Sequence, residues 1–314
     1  MTRNRVLLVE GDKDRRAFRR LIRAIAPCDS RVSLDVDIDT ADILRSPKGR
    51  SLGNREKIEA FCEQLKDKHI ADKFVGFVDR EFREFYLDGN GPMQDLLTGH
   101  FVHERLVWSR GHSIENYFFD LDILREAFQL FADSESSHSA LETFRRVFGP
   151  SLFLACAASL AANDTGFLTL VAGSIDWKII QLSKDSVAID VAQWKDRLVN
   201  DRGATECIAD QIIDRYNYWH SRAAVSQPQT VRWLCQGHIG FRMIWAVYAR
   251  CLYEASGRTE RETVDVLRAD EKVRFCACAE FWAKRTTGGG VPYPSAVLAM
   301  LGVKPPRVPD EKSS

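Results

Sequence analysis

The 314-residue chain has no Cys-x-x-Cys pair, and its eight cysteines (28, 62, 156, 207, 235, 251, 276 and 278) are scattered. That excludes zinc ribbons and thioredoxin-type redox motifs, and "CAC" at 276–278 lacks the partners of a zinc site. Reduced, mostly buried thiols are expected. Net charge is missing too, because 44 Lys plus Arg balance 44 Asp plus Glu. Any grip on nucleic acid must therefore come from local patches, not a bulk field. No run reaches the roughly 18 apolar residues of a membrane span, and the N-terminus shows no apolar signal core. "SLFLACAASLAA" (151–162) is too short and reads as a buried helix. The expectation is a cytoplasmic protein with no membrane segment. The phosphate loop "GxxxxGK[ST]" is also absent, so nucleotide-driven switching must come from another protein.

What is present is ordinary globular composition, 45% hydrophobic and 28% charged, long enough for one large domain or two modest ones. "RVLLVE" (5–10) is a short apolar run, the pattern of a strand covered on both faces. Gly11 permits a sharp turn there, and Asp12 or Asp14 caps the helix that follows. In that helix Phe18, Leu21, Ile22 and Ile25 form one apolar stripe, and Pro27 ends it. "RVSLDVDID" (31–39) alternates like a strand with one wet face, and Asn54 caps a helix over "REKIEAFCEQLKDK". "KFVGFVDRE" (73–81) is a third strand and "RLVWS" (105–109) a fourth. This β-α-β-α-β order predicts an α/β fold with a parallel sheet and helices on both faces. From about 121 to 303 helical periodicity dominates, with a strand hinted in "AGSIDWKIIQL" (172–182), and the tail 304–314 reads as disordered.

Acids end two of the strands: Glu10 the first, Asp79 and Glu81 the third. Open parallel sheets bind ligands at the carboxyl ends of their strands. Three carboxylates converging there repel one another unless a cation neutralises them, and hard oxygen ligands select magnesium or manganese. Such a metal polarises a phosphodiester. Asp12 and Asp14 read as caps, not ligands.

"VLLVEGDKD" followed by "FVGFVDRE" resembles the Toprim superfamily, which carries a Glu-Gly after its first strand and an Asp-x-Asp after a later one. Topoisomerases, primases and the overcoming-lysogenization-defect nucleases belong to it. The resemblance implies a Toprim-like catalytic domain over 1–120 and a mainly helical domain over 121–303. It assigns Glu10 as general acid/base or metal ligand, with Asp79 and Glu81 as metal ligands. Glu81 departs from the family's usual Asp, and its extra methylene shifts the carboxylate by roughly 1.5 Å. "WSRGHSIENYFF" (108–119) and "LCQGHIGFRMIW" (234–245) are similar to blocks of a family that includes the nuclease subunit of the PARIS anti-phage system. That resemblance implies a magnesium-dependent nuclease effector beside an ABC-type ATPase, acting on RNA, transfer RNA included, in preference to DNA.

Other residues carry two readings each. Glu115 is a further catalytic carboxylate or the acid that opens a helix. His112 has neutral-pH acid/base range or is structural. His238 and Arg242 touch a phosphate or face solvent. Arg15, Arg16, Arg19, Arg20 and Arg23 lie along the helix leaving Glu10, and Lys48 and Arg50 lie in a nearby loop. This basic set binds a phosphate backbone or is a solvated face. Trp177, Trp194, Trp219, Trp233 and Trp245 are mostly core, any exposed aromatics serving a docking surface. Expected partners are nucleic acid, the ATPase and a second copy of the chain. The alternative functions are a phospho-receiver accepting phosphate on Asp79, or a catalytically silent subunit docking on the ATPase.

Overall fold

The computed structural model describes residues 5–25, 36–46, 51–89, 91–132 and 134–303. Lys48, Arg50, Pro27, Cys28, residues 31–35 of the predicted second strand and the predicted tail lie outside the described residues. In chain order the elements begin with β1 (Arg5–Val9), α1 (Asp12–Ile25), β2 (Val36–Thr40), α2 (Asn54–Leu65) and β3 (Phe74–Val78). Short strands follow: β4 (Phe85–Tyr86), β5 (Gln94–Asp95), β6 (Val102–His103) and β7 (Leu106–Trp108). Next come α3 (Leu121–Gln129), α4 (Glu135–Thr165), α5 (Leu168–Ser174), β8 (Ile180–Leu182), β9 (Val187–Ile189) and α6 (Val191–Asp196). The remaining helices are α7 (Glu206–Ala224), α8 (Pro228–Leu234), α9 (Gly237–Ala255), α10 (Glu260–Arg268), α11 (Glu271–Thr287) and α12 (Ser295–Met300). The chain divides into two compact units, one of residues 1–80, 97–123 and 275–314, the other of 81–96 and 124–274.

The first unit is built on a sheet of order β2-β1-β3-β7-β6. Its first four strands are parallel, as the alternation of strands and helices predicts. The expected purely parallel sheet needs correction at one edge, where β6 runs antiparallel to β7. Only Glu104 and Arg105 separate these strands, a hairpin length, whereas a parallel partner needs a long crossover. Glu104 takes a left-handed φ of 52° in that turn.

Both faces of the sheet are covered. The predicted stripe of α1 is buried, and Phe18 meets Phe77 edge-on with ring centroids 4.8 Å apart. Successive strand residues point to opposite faces. Accordingly Val78 joins the other layer, where Leu8, Ala41, Ile58 and Leu106 form one cluster under α2. Each such aliphatic or aromatic side chain contributes about 1.5–3 kcal/mol when fully buried.

In the second unit α4 packs along both α7 and α9. The run 151–162 is buried and helical as expected, but the helix is far longer and continues through Pro150. Among the described residues it is the one helix long and apolar enough to cross a membrane, and 67% of its most apolar window is buried within the protein. The five tryptophans named above are all core, from 0% to 5% exposed, so none of them serves as an exposed docking aromatic. Arg222 ties the β4–β5 hairpin to α7, donating to the carbonyls of Leu87 at 2.6 Å and Gly91 at 3.0 Å. The strand hinted over 172–182 is confined to β8, its final residues. Of the described cysteines, 156, 235, 251 and 278 are buried, and none forms a disulfide.

Gly76 shows how closely α2 lies on β3. A Cβ there would come within 2.7 Å of Ile58 Cγ2, 2.8 Å of Cys62 Sγ and 3.0 Å of Leu106 Cδ1. Gly76→Ala should therefore cost about 1–3 kcal/mol through overpacking. At Gly11 a Cβ meets only Asp14 Oδ2, at 3.9 Å, so Gly11→Ala should stay within about 0.5 kcal/mol of wild type. Urea unfolding of both variants checks the contrast, and equal stabilities would refute it.

Candidate carboxylate site at the sheet edge

Strands β1 and β3 run side by side with Val9 opposite Phe77, so Glu10 and Asp79 emerge together from their carboxyl ends. The Asp79 backbone N–H donates to Glu10 Oε1 at 2.7 Å. The Glu10 carbonyl accepts from Asn54 Nδ2 at 2.8 Å. Asn54 is thus not the predicted cap of α2. Gly53 holds the cap position, its N–H donating to Glu56 Oε2 at 2.9 Å, and Asn54, one residue inside the helix, reaches over to the end of β1. Glu10 is anchored by backbone and side chain alike. Gly11 is not among the glycines with positive φ, so the turn after Glu10 does not require glycine for its backbone shape.

Asp14 does serve the helix start, its Oδ2 accepting the Gly11 N–H at 3.1 Å. Yet it is also buried, at 7% exposure. Burial raises its carboxyl to about 7, the charges of Glu115 and Glu10 add to the rise, and the Gly11 N–H opposes it. Asp12 stays exposed and pairs with Arg15 and Arg16.

Glu115 sits in the first turn of a short 3₁₀ helix, Ile114–Phe118, whose residues are all buried. Its Oε1 accepts from Lys13 Nζ at 2.9 Å and its Oε2 from Ser113 Oγ at 2.9 Å. Burial pushes this carboxyl up, but the Lys13 ammonium and its hydrogen bond, together with hydrogen bonds from the Glu115 N–H and the Ser113 hydroxyl, hold it below the ordinary value. Asn116 Oδ1 accepts the Ser113 N–H at 2.8 Å and closes the turn. Glu115 therefore opens a helical turn, and it carries charge within range of Asp14. The residue between Asp79 and Glu81, Arg80, is fully buried. Its N–H donates to Ser109 Oγ at 2.9 Å and its Nη1 to the Arg110 carbonyl at 3.0 Å, fastening the end of β3 beside β7.

Glu81, the third strand-end acid, is exposed, has a left-handed φ of 55° and is the first residue of the second unit. His112 is buried, and burial lowers its imidazole to about 4, which keeps it neutral at neutral pH. His238 and Arg242 both hold Glu271, at 2.8 and 3.1 Å. On α1, Arg20 pairs with Glu280 at 3.5 Å, while Arg19 and Arg23 are exposed.

The donor set at the edge is all oxygen, which suits a hard divalent cation in chemistry. Among the described residues, however, no three His, Cys, Asp or Glu side chains stand close enough together to hold a metal as arranged. Sequence reasoning missed Lys13 and Arg80, and read Asn54 as a cap of α2; Ser113, which with Glu115 opens a helical turn as expected, is its N-cap.

Lys13→Met should leave Glu115 buried without its cation and lower stability by about 1.5–3 kcal/mol. Adding Glu115→Gln should recover part of that loss, with a coupling of about 0.5–3 kcal/mol in a double-mutant cycle. Strict additivity would show that the pair is not coupled.

No family model matches the chain, and no curated protein matches it either.

Proposed function

We propose that the edge bearing Glu10 and Asp79 is the active site of a Toprim-type, magnesium- or manganese-dependent endonuclease. The observation that supports this best is the 2.7 Å bond between the Asp79 amide and the Glu10 carboxylate. It sets the Glu10 carboxylate against the main chain of Asp79, where open parallel sheets bind ligands. The resemblance of "VLLVEGDKD" and "FVGFVDRE" to Toprim proteins supports the same reading.

In this reading Asp79 and Glu81 are the residues that would hold the cation, and the chemistry it would supply is polarisation of a phosphodiester. Glu10 takes the proton as water adds to phosphorus and returns it to the leaving oxygen as the P–O bond breaks, so that an alcohol departs. Asn54 and the Asp79 amide keep Glu10 in place for that transfer. Lys13 holds Glu115 ionised and so acts on the local charge from outside the reacting atoms. The substrate is RNA, transfer RNA included, in preference to DNA, and the setting is an anti-phage effector restrained by an ABC-type ATPase in the cytoplasm. For the receiver alternative, acetyl-phosphate labelling of Asp79 is the required outcome.

The purified chain should cleave transfer RNA or plasmid with magnesium and not with EDTA. Glu10→Gln and Asp79→Asn should each abolish cleavage, and in cells the toxicity of the released effector. The Glu10→Gln fold should persist, since the glutamine carbonyl still accepts the Asp79 N–H. Cleavage by either variant at the wild-type rate would reject the assignment.

Replacing Arg15, Arg16, Arg19 and Arg20 with Gln should weaken nucleic-acid binding and flatten its salt dependence. For every phosphate no longer neutralised, the log–log slope falls by about 0.7–0.9. An unchanged slope would return this face to the role of a solvated, ion-paired surface.

A further inference from the structure

The second unit contains an open cleft of about 570 Å³ that the nuclease reading does not use. Thr143 and Arg146 of α4 form one wall, Ser183 and Lys184 of the β8–β9 turn another. Arg250 and Glu254 on α9, with Arg258 just past its end, form the third. Four cationic side chains thus line the cleft against two carboxylates, Glu254 in its wall and Asp185 beside Arg146. In a chain of zero net charge this is a concentrated local field.

Hydrogen bonds hold the three arginines in place. Glu254 accepts from Arg250 Nη2 at 2.7 Å and from Arg258 Nε at 3.2 Å. A guanidinium has five N–H donors, and this carboxylate engages one from each arginine. Arg250 Nε is buried without a hydrogen-bond partner. Arg146 is held by the Lys184 carbonyl at 3.3 Å and Thr143 Oγ1 at 3.2 Å, with Asp185 3.5 Å away. Arg258 follows Gly257 in the turn that ends α9, where its N–H donates to the Tyr253 carbonyl at 2.9 Å.

Planar guanidinium forks beside hydroxyl groups match the oxygens of a phosphate. An inorganic ion would fill little of the cleft, whose volume falls within the range of small-molecule sites. We propose that this cleft binds a phosphorylated ligand of nucleotide size, its phosphate held among Arg146, Lys184, Arg250 and Arg258. The phosphate ester belongs either to a free nucleotide or to a nucleic-acid backbone, and the recognising chemistry is the same. The site stands apart from the carboxylate reading, since every residue it uses lies in the second unit.

The test is calorimetric titration of the full chain, in EDTA so that no RNA is cleaved, with ATP, AMP, inorganic phosphate and a short 5′-phosphorylated RNA. Lys184→Gln and Arg258→Gln change side chains at the rim, the Arg258 side chain being 73% exposed, and their melting temperatures verify the fold. Each should weaken binding about tenfold, and the pair more. Arg268→Gln, an exposed arginine outside the cleft, should leave affinity unchanged. Nucleotide binding competed by inorganic phosphate supports the site with a free nucleotide as its source. RNA binding alone, weakened by the same variants, supports it with a backbone phosphate. Absence of heat with all four probes at millimolar concentration would overturn the proposal. So would affinities unchanged in a folded Lys184→Gln/Arg258→Gln variant. Binding is read without cleavage, so either failure leaves the sheet-edge reading standing.

Discussion

Carboxylates drawn together at a half-buried sheet edge repel one another and lose hydration, and the first unit is arranged around that conflict. Asp14 and Glu115 resolve it in opposite directions. Both are buried, yet Asp14 is raised to about 7 while Glu115 is held below its ordinary value. The difference is Lys13, whose ammonium lies 2.9 Å from Glu115 and supplies that acid with a counter-charge. Glu10 is relieved by the Asp79 amide, a dipole in place of a charge. Its charge and that of Glu115 are still felt by Asp14, whose carboxyl they help to raise. That residual repulsion is the electrostatic state that a hard cation would relieve.

The same economy of charge runs through α1. Its apolar stripe fixes which way the helix faces the sheet, and that orientation brings Lys13 and Asp14 to the carboxylate edge. Arg15 and Arg16 turn to Asp12, and Arg20 to Glu280. Packing thus determines which members of a charged run become buried and which remain on the surface.

Much of this core was legible from periodicity. The stripe of Phe18, Leu21, Ile22 and Ile25, the apolar runs of β1 and β3, and the burial of the tryptophans follow from spacing and side-chain type. What escaped depends on contacts between residues far apart in sequence. Asn54 looked like a cap because its local sequence permits one; its actual partner is 44 residues away. Asp14 reads as a surface cap until the 3₁₀ turn carrying Glu115 is brought near it. The antiparallel β6 is too short for any alternation to register. The basic cleft of the second unit draws on α4, a hairpin and α9, so no single stretch displays it.

For the proposed reaction, a negative edge repels a phosphodiester unless a cation neutralises it, and basic side chains nearby add to the positive charge that admits it. Lys13 is committed to a buried carboxylate, and releasing it would leave that charge uncompensated at a cost of several kcal/mol. The arginines of α1 are different. Their acidic partners Asp12 and Glu280 are 60% and 49% exposed, and pairs of that kind hold by only about 0–1 kcal/mol. A phosphate can exchange for Asp12 or Glu280 at small loss, because Arg donates to either oxyanion through the same fork. In the proposed reaction the buried pair fixes the site, and the exposed pairs leave it able to receive a phosphate.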